Sequence, residues 1–152
     1  MSTVTVEIDN NQKKENYAIL KVNLKKALHQ HFWFEACMIE YAIIEDRTAS
    51  ILLHAKIVKN PYDKKLSNKL NSIENQIGKR HPVISKKVDP NLIAEIRDWK
   101  DKRNEAVHRA CIHVYDEMEM EQIATQGSEL VRRITNDSRK VKDLSEKLYS
   151  EE

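Results

Sequence analysis

Glycine and proline are nearly missing from this sequence: two glycines and three prolines in 152 residues. With so few turn formers the chain has few places to reverse, so long helices joined by few connections are expected. Cysteine is scarce as well. Cys37 and Cys111 both fall inside apolar helical patterns and read as buried free thiols of a reducing compartment, which excludes a disulfide scaffold. No hydrophobic run suits a bilayer. The most apolar stretch, residues 32–55, carries Glu35, Glu40, Glu45, Asp46 and Arg47, a charge load too costly for a membrane span. The first sixteen residues lack a basic segment followed by an apolar run, so no secretory leader is expected and the location reads as cytoplasmic, away from membranes. Glycine-rich phosphate loops are absent too.

What remains is a polar chain with 33 % charged residues, a mean hydropathy of −0.67 and a net charge of only +2. Its length suits one domain and is enough to bury a core without disulfides or metals. The charge is unevenly spread. Residues 79–113 carry 9 basic and 5 acidic groups, whereas residues 114–152 carry 6 basic and 10 acidic ones. The basic middle could attract a polyanion and the acidic tail would not.

Periodicity supplies the elements. Residues 3–8 alternate like a strand but are too short and isolated to define a sheet, so residues 1–14 read as an N-terminal arm and residues 15–150 as a single helical domain. Tyr17, Leu20, Leu24, Ala27 and Leu28 mark the apolar face of a first helix from Lys14 to Gln30. A second, from Phe32 to Lys56, is apolar over most of its circumference, as befits the centre of a bundle or a dimer contact. Leu66, Leu70, Ile73 and Ile77 stripe a third, with Gly78 placed to close it. Asp89-Pro90 opens a fourth as N-cap and first helical residue. The last, from Asp116 to Tyr149, has a coiled-coil-like seam at Met120, Ile123, Gly127, Leu130, Ile134, Asp137, Val141, Leu144 and Leu148, in which only Gly127 and Asp137 are not apolar. A bend or fraying is expected near Asn136-Asp137-Ser138. The fold class is therefore all-α, an up-and-down bundle of about five helices with a long C-terminal helix.

The segment from Pro90 to Tyr115 departs from its own pattern. Leu92, Ile96, Trp99, Val107, Ala110 and Val114 form an apolar row, and the member due between Trp99 and Val107 is Arg103. Either the helix is continuous and an arginine points where leucine is wanted, or Lys100-Asp101-Lys102 breaks it and Arg103 lies in the first turn of a new helix. Such departures concentrate at functional sites. Asn104 and His108 are four apart and share a face, so Asn104 could orient the imidazole. Arg103 and His108 lie ~140° apart around the axis and ~7.5 Å along it, which makes it hard for one helix to aim both at one atom. Two copies of the helix across a two-fold axis could build a shared cleft.

These residue types suit RNA cleavage without a metal or other cofactor. Histidine can take or give a proton at neutral pH, arginine can hold a phosphate in a bidentate fork, and the 2′-OH nucleophile belongs to the substrate. Lys100, Lys102 and Arg109 lie nearby for phosphate or RNA contacts. The run Arg103-Asn104-Glu105-Ala106-Val107-His108 resembles the R-x4-6-H signature of the HEPN superfamily (higher eukaryotes and prokaryotes nucleotide-binding domain), and the polar residue directly after the arginine, Trp99 and the Glu40–Leu53 stretch are similar to its usual context. The resemblance covers about residues 15–150. It implies an up-and-down helical bundle that homodimerises with the motif at the interface. It further implies an endoribonuclease of toxin–antitoxin, phage-defence or RNA-processing type that leaves 2′,3′-cyclic phosphate ends. Toxin members often pair with a nucleotidyltransferase-type antitoxin. One subgroup carries a tyrosine two residues after the histidine, where this chain has Ala110.

Two other readings stay open: a catalytically inactive helical interaction module working through the 116–149 helix, and a nucleotide-binding module. Glu40, Asp46 and Arg47 either buttress the site or mark the wet side of their helix. His29 and His31, and His108 with His113, are badly spaced for a shared metal, so no metal site is expected. Trp33 and Trp99 read as core.

Overall fold

A computed structural model describes residues 10–150. The strand-like residues 3–8 lie outside that range. The described chain is all-helical: α1 Asn10–His29, α2 Trp33–His54, α3 Leu66–Gly78, the single turn α4 Ile84–Lys87, α5 Pro90–Ile112 and α6 Glu117–Tyr149. No helix among the described residues is long and apolar enough to cross a membrane. The first helix begins at Asn10, four residues before Lys14, so it takes in the end of the segment read as an arm.

The apolar circumference of α2 explains the architecture. Ala36, Cys37, Ile43, Ile44, Ile51 and Leu52 are all fully buried, and α2 packs against α1, α3, α5 and α6. It is the hub of an antiparallel bundle. Trp99 of α5 fills the centre, its indole Nε1 donating to the Ile123 carbonyl of α6 at 2.8 Å. That bond removes the cost of burying the N–H.

The caps follow local chemistry. Asp89 accepts from the Asn91 N–H at 2.9 Å ahead of Pro90, and Asp116 accepts from the Glu119 N–H at 3.1 Å at the start of α6. At C-termini the shortage of glycine shows. His31, Lys56 and Arg80 adopt φ of 61°, 60° and 57°, each one residue beyond a helix cap. At the end of α3, Arg80 N–H bonds Ile77 O and His81 N–H bonds Gln76 O, a Schellman closure with arginine in the position glycine usually fills. Gly78 is instead the last helical residue and does not close the helix. A Cβ added to Gly78 would meet nothing within 4 Å. Exchanging the two is therefore expected to help. Gly78→Ala restores helix propensity, and Arg80→Gly relieves the left-handed strain, so the double variant should gain about 1–2 kcal/mol. A urea midpoint moved down would refute this.

Helix α6 is continuous for 33 residues and does not fray at Asn136-Asp137-Ser138, where a bend or fraying was expected. Its seam is buried from Met120 to Ile134 and again at Val141, but Leu148 is exposed, while Ala124, Val131, Ser138 and Ser145 are buried. An unsupercoiled helix drifts by ~20° per heptad from a strict seven-residue repeat, enough to rotate Leu148 out and Ser145 in. Both seam irregularities have partners. Asp137 accepts from the Asp89 N–H at 3.2 Å, pinning the start of α5. At Gly127 a Cβ would fall 2.4 Å from Glu40 Oε1 and 2.8 Å from Trp99 Cζ2, so only glycine lets these side chains lie against α6.

Candidate functional site

Helix α5 is unbroken through Lys100-Asp101-Lys102, so Arg103 does stand where the apolar row wants a leucine. It resolves the conflict by leaning on α2. Its guanidinium lies 4.4 Å above the Tyr41 ring, Nη2 donates to Met38 Sδ at 2.8 Å, and Nη1 donates to Asn104 Oδ1 at 2.8 Å. Nε is buried with no hydrogen-bond partner. Burial pulls the Arg103 pKa below its ordinary value, against the influence of Tyr41 and Cys37. Cys37 offers no counter-charge, because burial, helped by Glu40, pushes its thiol up to about 12.

Among the described residues no carboxylate pairs with Arg103. The other half-buried arginines all have one: Arg47 pairs with Asp46, Arg97 with Glu74, Arg109 with Glu119, and Arg133 with Asp89 and Glu95. A partly desolvated cation without an anion is costly. Arg103 is therefore the one half-buried arginine with no carboxylate partner among the described residues.

Asn104 is occupied by Arg103 and by Tyr41, whose pKa is raised by burial and by Glu45 while the Asn104 hydrogen bond, Arg103 and Lys100 oppose the rise. It thus faces the Arg103 side of α5. His108 is exposed and has no hydrogen bond or ion pair among the described residues. Beside Asn104 lies a cavity of 220 Å³ lined by Tyr41, Glu45, Lys65, Ser67, Lys100 and Asn104. It abuts the start of α3, where Lys65 occupies the N-cap and no side chain caps the first N–H groups. Those N–H groups and Lys65 attract an anion, while Glu45 in the same lining opposes one and Lys100 is paired with Asp101.

The remaining site residues distribute as follows. Lys100 contacts Asp101 at 2.7 Å, and Lys102 pairs with Asp98 at 3.0 Å along the helix. Arg109 is a tie between α5 and Glu119 of α6. Asp46 and Arg47 face α1, where Asp46 meets Lys13 at 3.1 Å and Arg47 lies 4.8 Å from the Tyr17 ring, so they do not join Arg103. Glu40 is completely buried against Gly127 and Trp99, and neither of its oxygens has a partner. Burial raises its pKa to about 9, which keeps it neutral at physiological pH.

Tyr41 and Met38 are the contacts that the sequence did not single out. Two expectations are corrected. Cys111 is exposed, because it lies ~140° around α5 from the buried Ala106. Val114 is 93 % exposed because α5 ends at Ile112, before it. Close to His108 in sequence, Cys111, Ile112, Val114, Tyr115 and Met118 are exposed, interleaved with the exposed Glu105, His113, Asp116 and Glu117. Among the described residues no three His, Cys, Asp or Glu side chains converge in a way that could hold a metal ion. Comparison with models of known protein families, with curated proteins and with solved structures finds no match.

Proposed function

We propose that this chain is a metal-independent endoribonuclease of HEPN type, acting as a homodimer through Arg103 and His108. The observation that carries the reading is the carboxylate-free, half-buried guanidinium of Arg103, held in place by Tyr41 and Asn104. Arg103 binds the scissile phosphate and neutralises the charge that builds on it in the transition state. The substrate's 2′-OH attacks phosphorus and the P–O5′ bond breaks. The 2′ proton passes to a general base and the departing O5′ takes a proton from a general acid, leaving a 2′,3′-cyclic phosphate and a 5′-OH. His108 serves as acid or base, and its exposure leaves it open to the substrate. Asn104 holds Arg103 or meets the phosphate. Lys100, Lys65 and the uncapped start of α3 offer backbone contacts beyond it.

Arg103 turns toward α2 while His108 stays on the outer surface of α5, so one protomer presents the two groups separately. A second copy docked over the exposed end of α5 that carries His108 and Ile112 brings them together. In cells such an enzyme fits toxin–antitoxin, phage-defence or RNA-processing roles, with a nucleotidyltransferase-type antitoxin as one partner. The same exposed end of α5 favours the second reading, an interaction module without turnover. The two separate in one assay: RNA cleavage by purified protein in EDTA, wild type against Arg103→Ala and His108→Ala. Equal activity in all three rules out the mechanism.

A further inference from the structure

The largest cavity among those described is on another part of the molecule. It measures 660 Å³ and lies between the first half of α1, the second half of α2 and the second half of α6, with Tyr62 of the α2–α3 connection at its edge. Five permanent cations line it: Lys13, Lys14, Arg47, Arg139 and Lys142. Glu146 is the only carboxylate in the lining. Lys13 and Arg47 share Asp46. Arg139 reaches only Asn136, at 3.2 Å, and Lys14 and Lys142 have no carboxylate partner among the described residues.

Three different helices bring these charges together, so the cluster is not the solvated stripe of a single helix. The walls are ordered: Tyr17 donates to or accepts from Thr135 at 3.1 Å and carries the Arg47 guanidinium on its ring. The buried residues Ser50 and Ser138 add hydroxyls to the lining. His54 reports the local field: burial, then Lys142, Arg47 and Lys13, hold its pKa below the ordinary value, with Glu146 opposing. Through Leu53, His54 and Glu146 the cavity adjoins a second one of 360 Å³, whose wall includes Tyr149 and the buried, unpartnered hydroxyl of Ser145. The volume suits a small molecule, larger than a single inorganic ion. Cations from three elements, of which Lys14, Arg139 and Lys142 lack a carboxylate partner among the described residues, suit several linked phosphates.

We propose that this cavity binds a small molecule carrying two or more phosphates, which sit among Lys14, Arg47, Arg139 and Lys142, with the rest of the ligand in the adjoining cavity. The site is independent of Arg103 and His108.

The test is calorimetric titration of the full chain with inorganic tripolyphosphate at physiological salt. Wild type should show saturable one-to-one binding, and His108→Ala should bind equally well. The double variant Arg139→Glu, Lys142→Glu changes exposed side chains and should lose at least about 10-fold in affinity. Lys14→Glu, on a different helix, should lose affinity in the same direction, which covers the case that the double variant misfolds. Binding should also raise the His54 titration midpoint seen by NMR, because phosphate reverses the local field. Absent binding, or binding unchanged in both charge-reversed variants, overturns the proposal. So does an oligouridine strand that occupies the cavity when tripolyphosphate does not, since that assigns it to a polymer.

Discussion

Glu40→Met should raise stability at pH 7.5 by several kcal/mol and abolish a pH dependence expected of the wild type. The carboxyl is wholly buried, both oxygens lack partners, and its pKa is raised from an ordinary value of 4.5 to about 9. Below pH 4.5 folded and unfolded chains both hold the proton, and burying Glu40 costs only the loss of hydrogen bonds to water. Between 4.5 and 9 the unfolded chain releases the proton while the folded chain keeps it. Stability then falls as pH rises, by ~1.4 kcal/mol per unit. By pH 7.5 this amounts to about 4 kcal/mol, against a typical total of about 5–15 kcal/mol. Methionine fills a similar volume with no charge to desolvate. Glu40→Gln should flatten the slope as well, with a smaller gain, because its amide still lacks partners. Urea unfolding from pH 5 to pH 9 checks this. Parallel slopes in wild type and Glu40→Met, or a variant less stable at pH 7.5, would contradict it.

Loss of Arg103 or His108 should be the largest functional effect. Removing a general acid or base costs about 10²- to 10⁴-fold in rate, and removing the group that neutralises transition-state charge about 10²- to 10³-fold. Arg103→Lys should recover little. Lysine keeps the charge, but it loses the planar fork and the stacking on Tyr41 at 4.4 Å. Tyr41→Phe keeps the ring under the guanidinium and should retain most of the activity, whereas Tyr41→Ala removes the platform and should lose it. If Arg103→Lys and wild type cut RNA at the same rate, bidentate phosphate binding is wrong.

Much of the fold was readable from periodicity. Helix positions, the Asp89-Pro90 start and the central place of the apolar α2 all follow from residue pattern and capping chemistry. The misses have physical causes. Gly78 looked like a helix closer by type, yet the left-handed position fell to Arg80, two residues later. Gly127 and Asp137 were visible as seam irregularities, but their reasons lie on other helices, in Glu40 with Trp99 and in the Asp89 backbone. At the site, Arg103 was legible because it interrupts a row. Tyr41 was not, because a platform across two helices leaves no mark in spacing. Asp46 and Arg47 interrupt an apolar helix and left two readings open, a buttress for the site or the wet side of α2; α2 turns them toward Lys13 and Tyr17 of α1.

Subunit complementation tests the proposed composite site across two chains most directly. Arg103→Ala and His108→Ala chains are co-expressed, purified together and assayed for RNA cleavage in EDTA beside each variant alone. Each alone should be inactive. The mixture should regain about a quarter of wild-type activity, since half the dimers are mixed and each mixed dimer holds one intact site. No recovery in co-purified mixed dimers, or full activity in either variant alone, would contradict it.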